Sequence, residues 1–246
     1  MFDPHNDLHR VGSLDELRTH YRHAHAGTRG KERPALDAAS ATVAERCRFA
    51  TIGTFDVLGN ADVSPRGGPS GFIRVLDPTH LAMADLGGNN RLDTLENIVA
   101  TGRVALLLIT PGKSETVRVN GAAFVSTDPE LLHGFQLPKP PKSAIVIRVE
   151  TTYMHCAKAF MRSGMWDQTV WAELADVPDG AAVLSCQGVV DVDAETTRTW
   201  LDDAHADRRL AWMLDDTDAD VRGAALDALG KRYVHRPLAI VLAALA

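Results

Sequence analysis

Two short segments of the chain concentrate side chains of the kind that bind anions. The first, DVSPRGGPSGF at residues 62–72, carries a hydroxyl at Ser64 and a guanidinium at Arg66. Side chains two residues apart on a strand point to the same face of a sheet. A hydroxyl and a guanidinium placed in this way can hold two oxygens of one anion. A solvent-exposed strand end is the alternative, and this segment alone does not decide between them.

The second segment, LGGNNRLDTLENI at residues 86–98, places two glycines, two asparagines and an arginine before a predicted helix. Glycine lets the backbone approach a ligand closely. With Asn90 as the predicted N-cap, the free backbone amides, the positive end of the helix dipole and the Arg91 guanidinium would converge on one point. Phosphate suits such a site. The alternative is an ordinary capped helix with an arginine on its surface.

The elements around these segments must bring them together. From Arg48 the apolar pattern has a period of two, in short runs separated by the turn formers GN, RGGPSG and DP. The links are too short for crossover helices, so we predict an antiparallel meander whose intervening strand pair returns both segments to one edge. Three later runs also predict strands: VALLLI, ETVRVNGAAFVST and SAIVIRVETTYM. Together, about seven strands and two or three helices would form a closed or partly closed barrel.

Local signals within and before the barrel are also informative. Gly121 interrupts an alternating run, which predicts a β-bulge or bend, and Gly102 is predicted to end the helix of the second segment. Ser13 followed by Glu16 forms a capping box, which predicts a helix near the start of the chain. Apolar residues from Leu36 to Cys47 recur at helical spacing and predict a second helix.

The C-terminal part of the chain has a different composition. Residues 168–246 are rich in Asp and Ala, and helical spacing recurs over residues 191–203, 206–214 and 218–229. One stretch is similar to a single HEAT-type unit, but a solenoid needs about three units, so amphipathic helices are favoured. We therefore predict three parts: an N-terminal helical segment packing on the barrel (1–47), a split-barrel domain (48–167) and a helical extension (168–246).

Over roughly residues 10–167, the chain resembles the pyridoxamine 5′-phosphate oxidase-related FMN-binding proteins. Four motifs carry this resemblance, and they occur in the same order: VSPRGGPSGF, NNRLDTLENI, ETVRVNGAAFVS and HCAKAFMRSGMW. The chain is most similar to the bacterial subgroup with an SPRG strand and a GNNR helix start. This resemblance implies a mainly β fold with flanking helices, namely a six-stranded FMN-binding split β-barrel. It also implies a homodimer that binds two flavins across its interface.

The resemblance also implies roles for individual residues. Arg66, Asn90 and Arg91 would contact the phosphate or ribityl chain of FMN, with Ser64 and Asn89 nearby. Thr116 would lie beside the isoalloxazine ring. A third group would approach the flavin or the substrate, from the same subunit or from the partner subunit: Lys158, Arg162 and Trp166. The alternative is that the Lys and the Arg are surface charges of a helix and that the Trp is a packing anchor.

The sequence departs from the oxidases proper at the phosphate helix. They carry an Arg-Lys pair where this chain has Asn90 and Arg91, and their C-terminal arginine pattern for the substrate phosphate is not found. We therefore expect an FMN-dependent oxidoreductase whose small-molecule substrate is unidentified. The alternatives are a non-catalytic flavin or haem binding module and a deazaflavin-dependent reductase. No catalytic acid or base is identified, since His155 and Cys156, as neighbours on a predicted helix, would diverge by about 100°.

Composition limits the other classes of function. A net charge of −6 argues against non-specific nucleic-acid binding. The three cysteines form no C-x-x-C pair and predict neither a disulfide framework nor a zinc site. The cluster of His20, His23 and His25 lacks a carboxylate or thiol to complete a metal site. The N-terminus shows no signal segment, and the apolar run 237–246 is too short to span a bilayer, so we expect a cytoplasmic protein without membrane partners.

Overall fold

The computed structural model describes residues 9–88, 90–137 and 139–188, together with residues 193, 195–199, 201–202, 205, 225–226 and 228. The strands are β1 (Phe49–Phe55), β2 (Ala61–Gly67), β3 (Ile73–Asp77), β4 (His80–Asp85), β5 (Arg103–Ile109), β6 (Thr116–Ser126) and β7 (Ser143–His155). The helices up to residue 188 are α1 (Leu14–His20), α2 (Ala26–Arg29), α3 (Ala38–Arg46), α4 (Asp93–Thr101), α5 (Pro129–His133), α6 (Lys158–Ser163), α7 (Gln168–Glu173) and α8 (Gly180–Cys186).

The seven strands form one antiparallel sheet in the order β2-β1-β5-β6-β7-β4-β3. The prediction of a mainly β fold with flanking helices is confirmed. The prediction that the first four strands form a simple meander is wrong at one link, because β2 does not pair with β3. Instead β1 pairs with β5 and β4 pairs with β7. Helix α4 lies between β4 and β5 in the chain and allows this longer connection.

One face of the sheet forms the core. Ser64 on β2 is in register with Ile52 on β1, which pairs with Leu106 and through it with Val119. Ile52, Leu106 and Val119 are all buried in the same apolar cluster. Since directly paired residues share a face, Ser64 and the alternate residues of β2 point toward this interior.

The sheet curls until its two ends approach each other. Strand β2 is at one end of the strand order and β4 is next to the other end. Nevertheless, Nη1 of Arg66 on β2 lies 3.4 Å from Oδ1 of Asp85 at the end of β4. Such a contact requires a partly closed barrel, which agrees with the predicted split barrel, although the sheet contains seven strands where the resemblance implies six.

A bulge in the sheet confirms the prediction made for Gly121. The register between β6 and β7 shifts between Asn120 and Gly121. A Cβ atom at Gly121 would overlap the carbonyl oxygen of Arg148 on β7. Glycine therefore lets the two backbones approach closely at this position.

Two helices close the barrel interior. Ala44 of α3 and Cys47 after it are buried in the core, and Ile98 of α4 joins the same cluster. Helix α4 ends at Gly102, which has a φ of 66°, as predicted. In contrast, α1 has the predicted Ser13 cap but contributes no buried residue, and its Leu14 is 79% exposed.

The start of α4 differs from the prediction. The helix begins at Asp93 with Leu92 at the N-cap position, and no side chain caps it. Asn90 is therefore not the N-cap; it lies two residues earlier with a left-handed φ of 59°. Asparagine tolerates this conformation better than most residues, so Asn90 turns the chain toward the helix rather than capping it.

The described parts of the C-terminal extension are helical. Helices α7 and α8 precede residue 188, and residues 195–199 are also helical. Arg198 donates a hydrogen bond to Asp179, the N-cap of α8. The predicted helix at 206–214 lies outside the described residues, as does most of 218–229, whereas residues 193, 195–199 and 201–202 of the predicted helix at 191–203 are described. Across the described residues, no helix is long and apolar enough to cross a membrane.

Candidate functional site

A cleft of about 590 Å³ opens between strand β2 and the chain that leads into α4. Its walls are formed by residues 62–66 on one side and by residues 87–88, Arg91, Asp93 and Thr94 on the other. This volume lies within the range of small-molecule sites, about 300–1,000 Å³. The two segments that the sequence singled out as anion-binding therefore line the same cleft.

Arg66 is the more buried cation of the cleft. Its side chain is 21% exposed, and its Nη1 contacts Asp85. Its Nε atom is buried and has no hydrogen-bond partner in the described part of the chain. A buried donor without a partner costs about 1–3 kcal/mol. An acceptor bound in the cleft would remove this cost.

Asp85 faces Arg66 across the closing edge of the barrel. Burial raises the pKa of its carboxyl group, and the charges of Arg66 and Lys142 offset that effect in part. The Asp85 carboxylate therefore depends on these nearby cations for its charged form. The contact also fixes the direction of the Arg66 side chain relative to the cleft.

Arg91 lies at the exposed margin of the cleft. Its side chain is 78% exposed, and its Nε donates a 2.6 Å hydrogen bond to Asp93. That hydrogen bond raises the pKa of Arg91. A ligand would meet this guanidinium already oriented by a carboxylate of the first turn of α4.

The remaining lining of the cleft is polar and open. Thr94 donates a 3.3 Å hydrogen bond to Oδ2 of Asp62, and Ser64 stands between Asp62 and Arg66 on the inward face of β2. A Cβ atom added to Gly87 or Gly88 would meet nothing within 4 Å. The backbone of these two glycines is therefore accessible to a ligand, as the sequence predicted. Asn90 is exposed beside this backbone, and Asn89 lies outside the described residues.

The other predicted site residues lie in a different place. Thr116 is buried at the start of β6, where it pairs with Ile109 and His155. Lys158 and Arg162 are on α6, which follows β7. None of the described residues of this group lines the cleft next to Arg66. Within one chain, the structure therefore does not bring Thr116, Lys158 and Arg162 to the cleft.

Trp166 belongs to the same remote group. Its Nε1 donates a 2.9 Å hydrogen bond to the carbonyl oxygen of Lys113 in the β5–β6 loop, and its ring stacks on Phe160. These contacts join α6 to the β5–β6 loop. In this chain they are the contacts of a packing anchor, which the sequence analysis gave as the alternative role.

A cluster of partly buried polar side chains lies near Thr116. Nη1 of Arg118 donates a 3.0 Å hydrogen bond to the Tyr153 hydroxyl, and the His155 ring lies 5.1 Å from the Tyr153 ring. Burial, with the nearby charges of Arg118 and Lys31, lowers the pKa of His155. The sequence analysis placed His155 and Cys156 on a helix, which is wrong, because His155 is the last residue of β7.

Sequence reasoning missed the acidic residues of the cleft. Asp62 could have been found, because it precedes Ser64 by two residues on the same strand and shares its face. Asp85 gave no signal, because only the curling of the sheet brings it to Arg66. The described residues contain no group of three or more side chains placed to hold a metal ion.

Comparisons with known proteins agree with the barrel part of the chain. A family model described as pyridoxamine 5′-phosphate oxidase matches residues 36–156. No curated protein matches the chain.

Solved structures resemble about half of the chain. HupZ from Group A Streptococcus is 17% identical with a TM-score of 0.38, over 48% of this chain and 91% of that protein. A Lactobacillus delbrueckii protein provisionally assigned as a pyridoxamine 5′-phosphate oxidase is 23% identical with a TM-score of 0.40. The match covers 49% of this chain and 95% of that protein. An FMN-binding protein from Syntrophomonas wolfei is 14% identical with a TM-score of 0.32. The match covers 47% of this chain and 87% of that protein.

Proposed function

The chain belongs, over residues 36–156, to the pyridoxamine 5′-phosphate oxidase family, and from this premise we propose that it is an FMN-dependent oxidoreductase acting on a small molecule. The observation that carries the proposal is the buried, unpartnered Nε of Arg66. It lies in a cleft of about 590 Å³ that also contains Arg91 and two open glycines. These groups fit a ligand that ends in a phosphate.

The cleft offers different partners for the two polar parts of FMN. The guanidinium groups of Arg66 and Arg91 would hold the phosphate, with the Ser64 hydroxyl and the chain at Asn89 and Asn90 beside it. The carboxylate of Asp62 and the hydroxyl of Thr94 line the same cleft and suit the hydroxyl groups of the ribityl chain. The cleft thus offers cationic groups for a phosphate together with a carboxylate and hydroxyl groups for a ribityl chain.

Bound FMN would supply the electron-transfer chemistry, and the protein would supply position and electrostatics. In this chain Arg66 and Arg91 would neutralise the phosphate and fix the cofactor at one end. The proposed partners of the ring end, Thr116, Lys158, Arg162 and Trp166, lie away from the cleft. A homodimer in which the second copy presents these residues to the cleft would complete the site, and this arrangement is part of the proposal.

The test is the affinity of the full-length protein for FMN and for riboflavin, which lacks the phosphate. We expect FMN to bind at least about tenfold more tightly, because a phosphate adds charge-assisted hydrogen bonds, and to give flavin absorption bands near about 375 and 450 nm. Arg66→Ala should remove most of this preference, whereas Arg148→Ala, outside the cleft, should keep it. Equal affinity for the two flavins in the wild type would contradict the proposal. A haem Soret band in the purified protein would also contradict it.

A second measurement separates an enzyme from a binding module. The FMN-loaded protein is mixed with NADH or NADPH without oxygen, and the absorbance near 450 nm is followed. Bleaching by a nicotinamide donor and recovery when air is admitted would support an oxidoreductase. A flavin that stays oxidised with both donors, but is bleached by dithionite, would favour a non-catalytic flavin binder.

A further inference from the structure

A second cavity of about 260 Å³ lies between the N-terminal region and strand β7. Lys31 and Arg33 line it from the segment before α3, together with Asp37 and Ser40 at the start of α3 and residues 152–154 of β7. Two backbone hydrogen bonds between Arg33 and Thr152, of 3.0 and 2.8 Å, attach this segment to the strand. None of these residues lines the cleft that contains Arg66.

Thr152 gives this cavity an unsatisfied polar group. The residue is 2% exposed, and its Oγ1 has no hydrogen-bond partner among the described residues. Thr152 pairs with Val119 and therefore faces the interior side of the sheet, the side that α3 covers. Its side chain therefore lies on the side of the sheet where the start of α3 forms the cavity wall. A buried hydroxyl without a partner is unfavourable, so a hydrogen-bonding occupant of the cavity would account for it.

The charge of the cavity lining is positive. Two cations, Lys31 and Arg33, and one carboxylate, Asp37, give a sum of +1, in a chain whose total is −6. The carboxylate is already engaged, because Oδ1 of Asp37 accepts a 2.7 Å hydrogen bond from the Ser40 amide as the N-cap of α3. That hydrogen bond lowers the pKa of Asp37.

The Arg33 guanidinium retains hydrogen-bonding capacity. Its Nη1 donates to the carbonyl oxygens of Gly30 and Glu32 at 2.6 and 2.9 Å. These two bonds hold the side chain against its own loop. A guanidinium has five N–H donors, so Arg33 can remain held in this way and still donate to a ligand.

We propose that this cavity binds a small oxyanion, either a phosphate ion or the phosphate group of a monoester. Lys31 and Arg33 supply the charge, the Thr152 hydroxyl donates a hydrogen bond, and the N-terminus of α3 adds its dipole. The volume accommodates a phosphate group with a few water molecules, since a water takes about 30 Å³. This site is separate from the proposed flavin site and does not depend on it.

The experiment is a calorimetric titration of the full-length protein with inorganic phosphate, after the first cleft has been filled with FMN and all unbound FMN has been removed, so that no free phosphate monoester competes for the second cavity. We expect saturable binding. Lys31→Ala should weaken it at least about tenfold, because the lost contact is charge-assisted, and Thr152→Val should weaken it at least about threefold. Arg29→Ala, which removes one positive charge from the same region outside the cavity, should change the dissociation constant less than about twofold.

Two further arms complete the design. Repeating the titration with glycerol 3-phosphate distinguishes a free phosphate ion from a phosphate monoester as the ligand. An affinity equal to that for phosphate indicates that the anion alone is recognised, and a higher affinity indicates that the cavity has room for an ester. If the protein does not take up FMN, the titration is done with the Arg66→Ala variant instead. This substitution removes phosphate binding in the first cleft. The melting temperature of Thr152→Val in phosphate-free buffer should be equal to or above that of the wild type, which shows that its lost affinity is not a loss of folding.

The proposal is overturned if phosphate does not bind saturably to the wild type. It is also overturned if Arg29→Ala and Lys31→Ala weaken binding equally, since only general electrostatic attraction would then be at work. Unchanged phosphate affinity in Thr152→Val would remove the hydroxyl from the site.

Discussion

The two arginines of the cleft differ in how strongly water screens their charge. Arg66 is mostly buried and contacts Asp85, whereas Arg91 is mostly exposed and contacts Asp93. Electrostatic interactions weaken where solvent reaches both partners. Although both residues come from recognisable motifs, the buried one should contribute more to anion binding.

This difference predicts an order of effects on flavin affinity. We expect Arg66→Ala to weaken FMN binding about a hundredfold and Arg91→Ala about tenfold, because the more buried contact is less screened. Fluorescence quenching of FMN on titration with each variant measures both dissociation constants. A larger loss in Arg91→Ala than in Arg66→Ala would contradict the assignment of Arg66 as the main phosphate ligand.

His155 predicts a pH dependence of stability. Its pKa is lowered from 6.5 by burial and by the charges of Arg118 and Lys31, so the unfolded chain binds the proton more readily than the folded protein does. The free energy of unfolding should therefore fall as the pH drops below about 6.5. Urea unfolding at several pH values should show a smaller fall in His155→Gln. His23→Gln, at an exposed position, should behave as the wild type, and identical slopes in all three proteins would contradict the prediction.

At the scale of elements, the connection between β4 and α4 determines what reaches the cleft. The glycines there allow the backbone to line the cleft directly, and Asn90 makes the turn that precedes the helix. The glycines of the first motif serve a different purpose. A Cβ atom at Gly68 would lie 2.8 Å from both Leu86 Cδ1 and Phe72 Cβ, so this glycine permits packing between the strand and the connection.

These two kinds of glycine predict opposite outcomes for the same substitution. Gly68→Ala should lower the free energy of unfolding by about 1–3 kcal/mol, as is typical of overpacking, because the added methyl group overlaps two side chains. Gly88→Ala should leave stability unchanged within about 0.5 kcal/mol but weaken FMN binding, because its methyl group enters open space in the cleft. Thermal unfolding and FMN titration of both variants test this, and a destabilised Gly88→Ala would contradict the open geometry.

At the scale of the whole molecule, the two apolar clusters of the described core belong to the barrel and its adjoining helices, while the extension has buried residues of its own at Ala181, Thr197 and Ala225. The buried apolar clusters contain residues from Leu36 to Val149 and, within the described residues, none from the extension. Helix α7 contacts the segment that follows α6, because Trp171 Nε1 donates a 3.0 Å hydrogen bond to the Met165 carbonyl oxygen. A cut made after α7 preserves this local contact.

We therefore predict that a chain truncated after residue 178 folds and keeps its affinity for FMN. Burial of apolar surface is the main source of stability, and neither of the two apolar clusters of the barrel contains a residue that this truncation removes. Circular dichroism with thermal unfolding and an FMN titration would measure both properties against the full-length protein. An unfolded product, or a lowered FMN affinity with normal folding, would show that the extension contributes to the barrel or to the site.

The sequence by itself determined the local features of this protein. Periodicity two and turn-forming residues located the strands, Ser13 and Gly102 marked helix ends, and Gly121 marked the bulge. Such features depend on residues only a few positions apart, so pattern and propensity are sufficient to predict them. The order of the motifs likewise identified the family that residues 36–156 match.

Only the tertiary structure decided how these pieces meet. The pairing of β1 with β5 and of β4 with β7, and the approach of Arg66 to Asp85, join residues that are distant in the chain. The order of the strands and the closure of the sheet set these contacts, and both depend on pairings between residues far apart in the chain rather than on any one local pattern. For the same reason the sequence could not show that Thr116 lies away from the cleft, or that Thr152 is buried without a partner beside Lys31 and Arg33.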